Sequence, residues 1–286
     1  MFGRFRHLSF SLTLGYVSFI IRRFRNPFEV IWKIYRRKYP VIAIYRRTHE
    51  RVALSSAFQI DLILNGFQDV SLDISSDILS FRYSGVKVML FGAQGVNGDP
   101  RVFIDELYRF LTDDDVPLVD VGANIGDSSI YFAIRGVKKV VAVEPYPSNY
   151  YTLLRNISIN KLSNVITPLN AGVSGASALV KIPSDVEATA VSTVSDYGNG
   201  PSVRILTLSE ITDRFRFVEA NLKLDCEGCE FDTLLNSDIS SLRRFRKILA
   251  EMHSKDIEPL VNRLRAANFE VNIEGNYLFA TRLDES

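Results

Sequence analysis

The chain is poor in the residues that build disulfide frameworks and zinc sites. Its 286 residues include only two cysteines and three histidines. Cys226 and Cys229 are too few for a disulfide scaffold, so we expect a reducing compartment. His7, His49 and His253 lack the spacing of structural zinc ligands. We therefore expect the two cysteines to act as small buried hydrophobic residues, with a C-x-x-C redox pair as the alternative.

The chain also lacks an apolar run long enough to cross a bilayer. The mostly apolar residues 8–21 are about six residues short of a membrane span. No small-residue cleavage site follows them, so we do not expect a removable signal peptide. Acidic residues are scarce in this region, since residues 1–51 contain 12 Lys/Arg and two acids, whereas the rest of the chain contains 22 and 31. This asymmetry predicts a basic appendage on an acidic body.

Aromatic and cationic residues are interleaved in residues 28–39, FEVIWKIYRRKY. This composition is typical of an interfacial helix on an anionic membrane surface. The sequence therefore predicts a cytoplasmic protein with peripheral contact to the inner membrane face through residues 8–40. The alternative is that residues 8–35 form two helices packed on the main domain. Nucleic-acid binding is not expected, because a basic patch alone is a weak signal.

Strand and helix patterns predict three segments. Residues 69–91 alternate around Ser84-Gly85, which indicates a β-hairpin, and residues 101–111 have helical spacing. The loop 92–100 is interpreted as a connection or substrate lid, with a cofactor-cradling loop as the less favoured alternative. The expected divisions are a helical appendage over 1–50, a hairpin and helix over 51–111, and the main domain over 112–286.

In the main domain, strands alternate with helices from residue 118 to 252, which predicts a parallel sheet with right-handed crossovers. A hairpin within residues 269–281 adds an antiparallel strand. Ligands in such sheets bind at the carboxyl ends of the strands. That rule selects these positions: 120–126, Glu144, Asn170, 225–227 and 251–253.

One stretch, residues 118–136, organises this domain. It reads as a strand, a turn with Gly122 and Gly126, and a helix, and glycines there allow close approach of the backbone to a ligand. The next strand ends in Glu144, whose carboxylate could accept hydrogen bonds from both hydroxyls of a ribose. The turn has Asn124 where a dinucleotide-binding G-x-G-x-x-G motif needs its middle glycine, which disfavours a dinucleotide.

Four segments resemble the FkbM-type family of S-adenosylmethionine-dependent methyltransferases: VDVGANIGDSS, AVEPYPSNYYTLLRNISIN, LKLDCEGCEFDTLL and ILAEMH. They occur in the expected order over residues 118–253. The resemblance implies an α/β fold with a seven-stranded, Rossmann-like methyltransferase sheet. That sheet would be mostly parallel, with an antiparallel C-terminal strand.

The resemblance also implies the cofactor, S-adenosyl-L-methionine, and its site. Gly122, Asn124 and Gly126 would line its methionine end, Glu144 would hold the ribose, and Asn170-Ala171 would approach the adenine. The full set expected to bind cofactor is Asp120, Gly122, Ala123, Asn124, Gly126, Glu144, Pro145, Asn170 and Ala171.

Four residues are candidates for catalysis: His253, Asp225, Glu251 and Glu227. His253 is suited to removing a proton from an alcohol near neutral pH, and Asp225 should face the transferred methyl group. As an alternative, these four side chains could bind Mg²⁺. Glu230 is interpreted mainly as an acid stabilising a helix N-terminus.

The expected function is O-methylation of a hydroxyl group on a glycan, glycolipid or similar small molecule. One alternative is a non-catalytic scaffold at the membrane surface that keeps the methyltransferase fold. The other is a dinucleotide-dependent oxidoreductase, which the residue at position 124 disfavours.

Overall fold

The computed structural model describes residues 14–36, 38–55, 57–92, 102–182, 200–253 and 256–283. Sequence predictions for 8–13, for 93–100 and for 183–199 fall outside these ranges. The chain divides into two compact units, Met1–Val88 and Met89–Ser286. The three-part division expected from the sequence, with boundaries after residues 50 and 111, stays a prediction.

The first unit begins with helices α1 (Leu14–Arg23) and α2 (Pro27–Tyr35), followed by strands β1 (Val41–Ile44) and β2 (Arg51–Leu54) and by α3 (Ala57–Leu64). Strands β1 and β2 pair antiparallel, so the expected helical appendage also contains a strand. Apolar side chains from all five elements form one core. Among the described residues, no helix is both long and apolar enough to cross a membrane.

A second sheet contains the predicted hairpin. Its strands are β3 (Gln68–Asp73), β4 (Ile78–Tyr83) and β5 (Val86–Phe91), in that order across the sheet. Ser84 and Gly85 both have positive φ, as a two-residue primed turn between twisted strands requires. The hairpin is thus confirmed.

The single helix predicted over 101–111 is wrong. The described part of this segment forms a short helix, α4 (Val102–Asp105), and a 3₁₀ turn, Leu107–Leu111. Glu106 lies between them with a φ of 48°, a left-handed conformation that interrupts helical hydrogen bonding.

The second unit is built on a large sheet with helices between its strands. The strands that follow β5 are β6 (Leu118–Val121), β7 (Val140–Val143), β8 (Ile166–Leu169), β9 (Gly172–Val173), β10 (Ala178–Lys181), β11 (Ser202–Leu206), β12 (Ala220–Leu224), β13 (Phe245–Glu251), β14 (Phe269–Glu274) and β15 (Tyr277–Arg282). The helices that follow α4 are α5 (Asp127–Ile134), α6 (Pro147–Ile159), α7 (Leu208–Arg214), α8 (Cys229–Asn236), α9 (Ile239–Leu242) and α10 (Glu258–Ala266).

Seven of these strands form one sheet in the order β14-β15-β13-β12-β6-β7-β8. Strand β15 runs antiparallel to both of its neighbours, and the other adjacent pairs are parallel. All side chains of β6, β7 and β12 are buried, which explains why these strands are mostly apolar, and the polar exceptions are Asp120, Asn221 and Lys223. The predicted Rossmann-like methyltransferase fold is confirmed.

Candidate active site

The loop after β6 approaches the end of β12 so closely that its first residue must be glycine. Gly122 has a φ of 75°, and a Cβ there would lie 1.9 Å from the carbonyl oxygen of Asp225. Gly126 has a φ of 94°, and a Cβ there would lie 2.5 Å from Leu153 Cδ1. Gly122 and Gly126 therefore allow the loop after β6 to pack tightly against the end of β12 on one side and against α6 on the other.

Glu144 connects this loop with the loop after β7. The backbone N–H of Asn124 donates to Glu144 Oε2, and the N–H of Tyr146 donates to Oε1, both at 2.9 Å. Glu144 is only 3% exposed. Burial raises its pKa to about 7, although these hydrogen bonds oppose the change. Glu144 therefore titrates near neutral pH, in a position where it fixes both loops.

The other residues expected beside the cofactor also shape these loops. The side-chain amide of Asn170 donates to the backbone carbonyls of Glu144 and Pro145, at 2.8 and 3.0 Å. Ala123 and Ala171 are buried. The residues that the sequence predicts for this site therefore lie along one edge of the sheet, at the ends of β6, β7 and β8.

Asp120 lies behind the loop in the sheet. It is fully buried, and its Oδ2 accepts hydrogen bonds from the hydroxyls of Ser128 and Ser129, at 2.7 and 2.5 Å. These bonds hold the first turn of α5 against β6. Asp120 would therefore affect cofactor binding indirectly, by fixing the position of the loop after β6.

Lys223 is a site residue that sequence reasoning missed. Its Nζ lies 3.2 Å from Asp120 Oδ1 and 3.7 Å from Asp225 Oδ2, and it donates to the Gly122 carbonyl at 3.0 Å. Burial alone would lower the pKa of Lys223. The charges of Asp120 and Asp225 raise it by more than burial lowers it, so the pKa of Lys223 is higher than usual. The available signal was a lysine between leucines in a buried strand, which requires a charged partner.

Tyr108 is a second site residue that the sequence does not reveal, because its spacing indicates only a helical core position, yet it contacts the same group of charges. Its hydroxyl donates to Asp225 Oδ2 at 3.4 Å, and its ring centroid lies 5.7 Å from Lys223 Nζ. Burial, followed by the charge of Asp225, raises the pKa of Tyr108 well above its ordinary value. The phenol therefore remains a hydrogen-bond donor over the working pH range.

The catalytic candidates meet at the ends of β12 and β13. Asp225, Glu251 and His253 each offer a ligand atom, and these atoms lie within 4.8 Å of one another. Glu227 joins them, because its Oε2 lies 3.4 Å from His253 Nε2. All four catalytic candidates from the sequence are therefore neighbours in space.

Glu230 holds the imidazole of His253 from the other side. Its Oε1 lies 3.4 Å from His253 Nδ1, and its carboxylate accepts hydrogen bonds from the N–H groups of Cys226 and Gly228, at 2.7 and 2.9 Å. The interaction with Glu230 raises the pKa of His253, against the effect of burial, and the charges of Glu251 and Asp225 raise it further. The interpretation of Glu230 as a helix-terminus acid was thus incomplete.

The prediction that the two cysteines are simple buried hydrophobic residues is wrong. Cys226 and Cys229 are half-buried and form a disulfide. The turn between β12 and α8 brings their Cα atoms to 5.5 Å, a separation that a disulfide can span. The bond closes the same turn that presents Glu227 and Glu230 to His253.

Several known proteins are similar to this chain. AMB antimetabolite synthetase AmbE from Pseudomonas aeruginosa is 25% identical over 229 residues, which cover 62% of this chain and 11% of that protein. The methyltransferase FkbM structure from Methylobacillus flagellatus KT is 18% identical, with a TM-score of 0.43, over 58% of this chain and 43% of that one. The M. jannaschii TYW2 structure in complex with AdoMet is 15% identical, with a TM-score of 0.35, over 74% and 90%. The chain thus spans less than half the length of AmbE and of the FkbM structure.

The family comparison covers the site directly. The model of the methyltransferase FkbM domain matches residues 120–271, which is more than half of the chain. This range includes the β6 loop, Glu144, the turn after β12 and His253. The chain belongs to the FkbM methyltransferase family.

Proposed function

We propose that this protein transfers the methyl group of S-adenosylmethionine to a hydroxyl oxygen of a glycan, glycolipid or similar small molecule. Membership of the FkbM family supports methyl transfer. The observation that supports an oxygen acceptor is the imidazole of His253, which two carboxylates hold at the carboxyl edge of the sheet.

The residues at the ends of β6 and β7 fit this cofactor. Glu144 accepts one backbone hydrogen bond on each carboxylate oxygen and a further one from the Asn149 side chain, which leaves one acceptor position on the carboxylate for a ribose hydroxyl. Gly122 keeps the loop backbone free of side-chain atoms at its closest approach to β12. When bound, S-adenosylmethionine supplies an electrophilic methyl group.

His253 would serve as the general base for the acceptor. His253 Nε2 would accept the hydroxyl proton as the acceptor oxygen bonds to the methyl carbon, while the carbon–sulfur bond breaks and its electron pair leaves with S-adenosylhomocysteine. Glu230 stabilises the resulting imidazolium through Nδ1, and Glu227 lies beside Nε2. A general base of this kind contributes on the order of 10²–10⁴-fold to the rate.

Asp225 and Lys223 would position the reacting groups and would not themselves take part in proton transfer. Asp225 lies between the Lys223 ammonium and the Tyr108 hydroxyl, which fixes its carboxylate at the end of β12. Holding reacting groups in line is a large part of catalysis in a displacement reaction. Asp225 is therefore proposed to orient the acceptor, with Glu251 on the neighbouring strand.

Cofactor binding is tested by isothermal titration calorimetry with S-adenosylmethionine and with NADH. We expect micromolar binding of S-adenosylmethionine, weakened sharply by Glu144→Ala but not by Glu270→Ala on the exposed face of β14. A folded wild-type protein that binds only NADH would replace this proposal with the oxidoreductase alternative. A folded protein that binds neither compound would support the scaffold alternative.

The acceptor is identified by incubating cell extract with isotopically labelled cofactor and analysing the products by mass spectrometry. Label in a methyl ether supports O-methylation. Label on nitrogen or carbon would refute the oxygen acceptor while leaving methyl transfer intact.

Once an acceptor is known, the pH profile of kcat/KM tests the base. We expect activity to rise with pH as His253 loses its proton, with a midpoint above pH 6.5, its ordinary pKa. Glu230→Gln removes the main cause of the raised pKa, so the midpoint should move to lower pH, whereas His49→Gln in the first unit should leave it unchanged. A midpoint unaffected by Glu230→Gln would contradict this role for His253.

The same assay decides the alternative that Asp225, Glu227, Glu251 and His253 bind Mg²⁺, of which Asp225, Glu251 and His253 offer ligand atoms within 4.8 Å of one another. Activity lost in EDTA and restored by Mg²⁺ would make these side chains metal ligands instead of base and orienting groups. Activity that persists in EDTA agrees with the proton-transfer role.

The cytoplasmic location expected from the sequence stays a prediction.

A further inference from the structure

Helix α2 presents an aromatic stripe to solvent. Phe28, Trp32 and Tyr35 are 78%, 50% and 70% exposed. At 3.6 residues per turn, these three positions fall within an arc of about 60° on the helix. We call them the α2 stripe. Three large aromatic side chains exposed along one line of a helix suggest a surface that is covered in use.

The opposite side of α2 is already used in packing. Val30 and Ile34 are buried in the core of the first unit, together with Ile20 of α1 and Val41 of β1. The fold of this unit therefore does not need the α2 stripe. Its aromatic residues are available for contact with something outside the unit.

The charge around the stripe indicates what that contact is. Within residues 1–60 the only acids are Glu29 and Glu50, against 12 Lys/Arg. Lys33 Nζ lies 2.7 Å from Glu29 Oε1, so the one carboxylate on α2 is already paired. Lys38 Nζ lies 5.2 Å from the centroid of the Trp32 ring, which places a positive charge directly at the stripe.

We propose that the α2 stripe and its neighbouring cations dock the protein on an anionic lipid bilayer. The rings of Trp32 and Tyr35 combine an apolar body with a polar tip, which suits the boundary between headgroups and acyl chains. Arg36 and Lys38 would contact lipid phosphates, and each such charge strengthens binding by roughly fivefold. The helix lies on the surface and does not cross it.

The test is sedimentation of the full-length protein with vesicles of phosphatidylcholine, with and without phosphatidylserine. We expect binding only to vesicles that contain phosphatidylserine. Binding should weaken as salt rises from about 0.1 to about 1 M, because screening acts on exposed charges. This readout does not depend on the methyl acceptor or on catalytic activity.

Two variants and two controls separate the stripe from general hydrophobicity and charge. Phe28→Ser/Trp32→Ser/Tyr35→Ser should weaken the vesicle partition coefficient by roughly tenfold or more, whereas Tyr151→Ser, an exposed aromatic on α6, should not.

Arg36→Glu/Lys38→Glu should weaken the partition coefficient by at least roughly 20-fold. Lys87→Glu/Arg265→Glu makes the same change of net charge at exposed positions elsewhere and should have a much smaller effect. Circular dichroism spectra that match the wild type would show that each variant is folded.

Three results would overturn the proposal. The first is wild-type protein that stays in the supernatant with phosphatidylserine vesicles at low salt. The second is a folded stripe variant that binds these vesicles as well as the wild type. The third is a loss of vesicle binding in the control variants that is as large as the loss in the stripe and charge variants. Stripe-dependent binding to a protein or to RNA in place of vesicles would assign the surface to that partner instead.

Discussion

Glu144 should make the stability of the folded protein depend on pH. Burial raises its pKa from 4.5 to about 7, against hydrogen bonds from Tyr146 and Asn124. The unfolded chain ionises this carboxyl group near the ordinary value, so between the two values the folded protein binds more protons than the unfolded chain. The stabilisation from the protonated carboxyl is fully present below about pH 4.5, and it is lost as the pH rises to about 7.

The magnitude follows from the shift. A difference of about 2.5 pKa units corresponds to about 3 kcal/mol in the free energy of unfolding, of which about 2 kcal/mol is lost between about pH 5 and pH 7.5. Glu144→Gln cannot ionise and should lack this dependence. Its amide group faces one of the two backbone N–H donors, so the variant also loses about 1–3 kcal/mol at every pH.

The assay is urea unfolding followed by circular dichroism over this pH range. The free energy of unfolding of the wild type minus that of Glu144→Gln should decrease by about 2 kcal/mol as the pH rises. The contribution of His253 is the same in both proteins and cancels in the difference. Glu270→Gln, at an exposed position on β14, controls for a charge lost at the surface. Parallel curves for the wild type and Glu144→Gln would refute the assignment of a raised pKa to Glu144.

Three further predictions concern the packing around the site. Gly122→Ala should weaken S-adenosylmethionine binding at least tenfold in calorimetry, whereas Gly136→Ala, also at positive φ but with open space around the new Cβ, should not. Lys223→Met leaves the buried carboxylate of Asp120 without its cation and should lower the free energy of unfolding by about 3–5 kcal/mol in urea; an unchanged midpoint would show that the pair does not matter. Cys229→Ser opens a very short loop and should lower stability by about 2 kcal/mol, to the level of the reduced wild type. Equal stability of oxidised and reduced wild type would contradict that expectation.

Much of the fold could be predicted from the sequence because each central strand carries its own signal. Residues 118–121 and 140–143 are short apolar runs followed by turn residues, and both are buried parallel strands. The final hairpin also followed from its turn residues. The segment 101–111 was wrongly predicted as one helix, because its apolar residues have helical spacing. The left-handed conformation of Glu106 interrupts the helix, and residue spacing does not reveal it.

The neighbours at the ends of β12 and β13 could also be predicted, because topology alone places the ends of parallel strands together. Asp225 and His253 follow adjacent strands, and they meet as expected. The partner on the other side of His253 was missed. Glu230 lies in the first turn of α8, where an acid stabilises a helix N-terminus whether or not it has another partner, so its sequence position does not reveal the contact with His253.

Lys223 shows why the two halves of the site cannot be understood separately. Its ammonium contacts Asp120 and the Gly122 carbonyl on the proposed cofactor side, and Asp225 on the proposed catalytic side. In an apolar interior, a charge of this kind is stabilised only by the groups around it, so it holds both carboxylates in place. A change at the β6 loop therefore alters the position of Asp225, and a change at Asp225 alters the loop. Cofactor affinity and orientation of the acceptor should consequently be lost together when Lys223 is replaced.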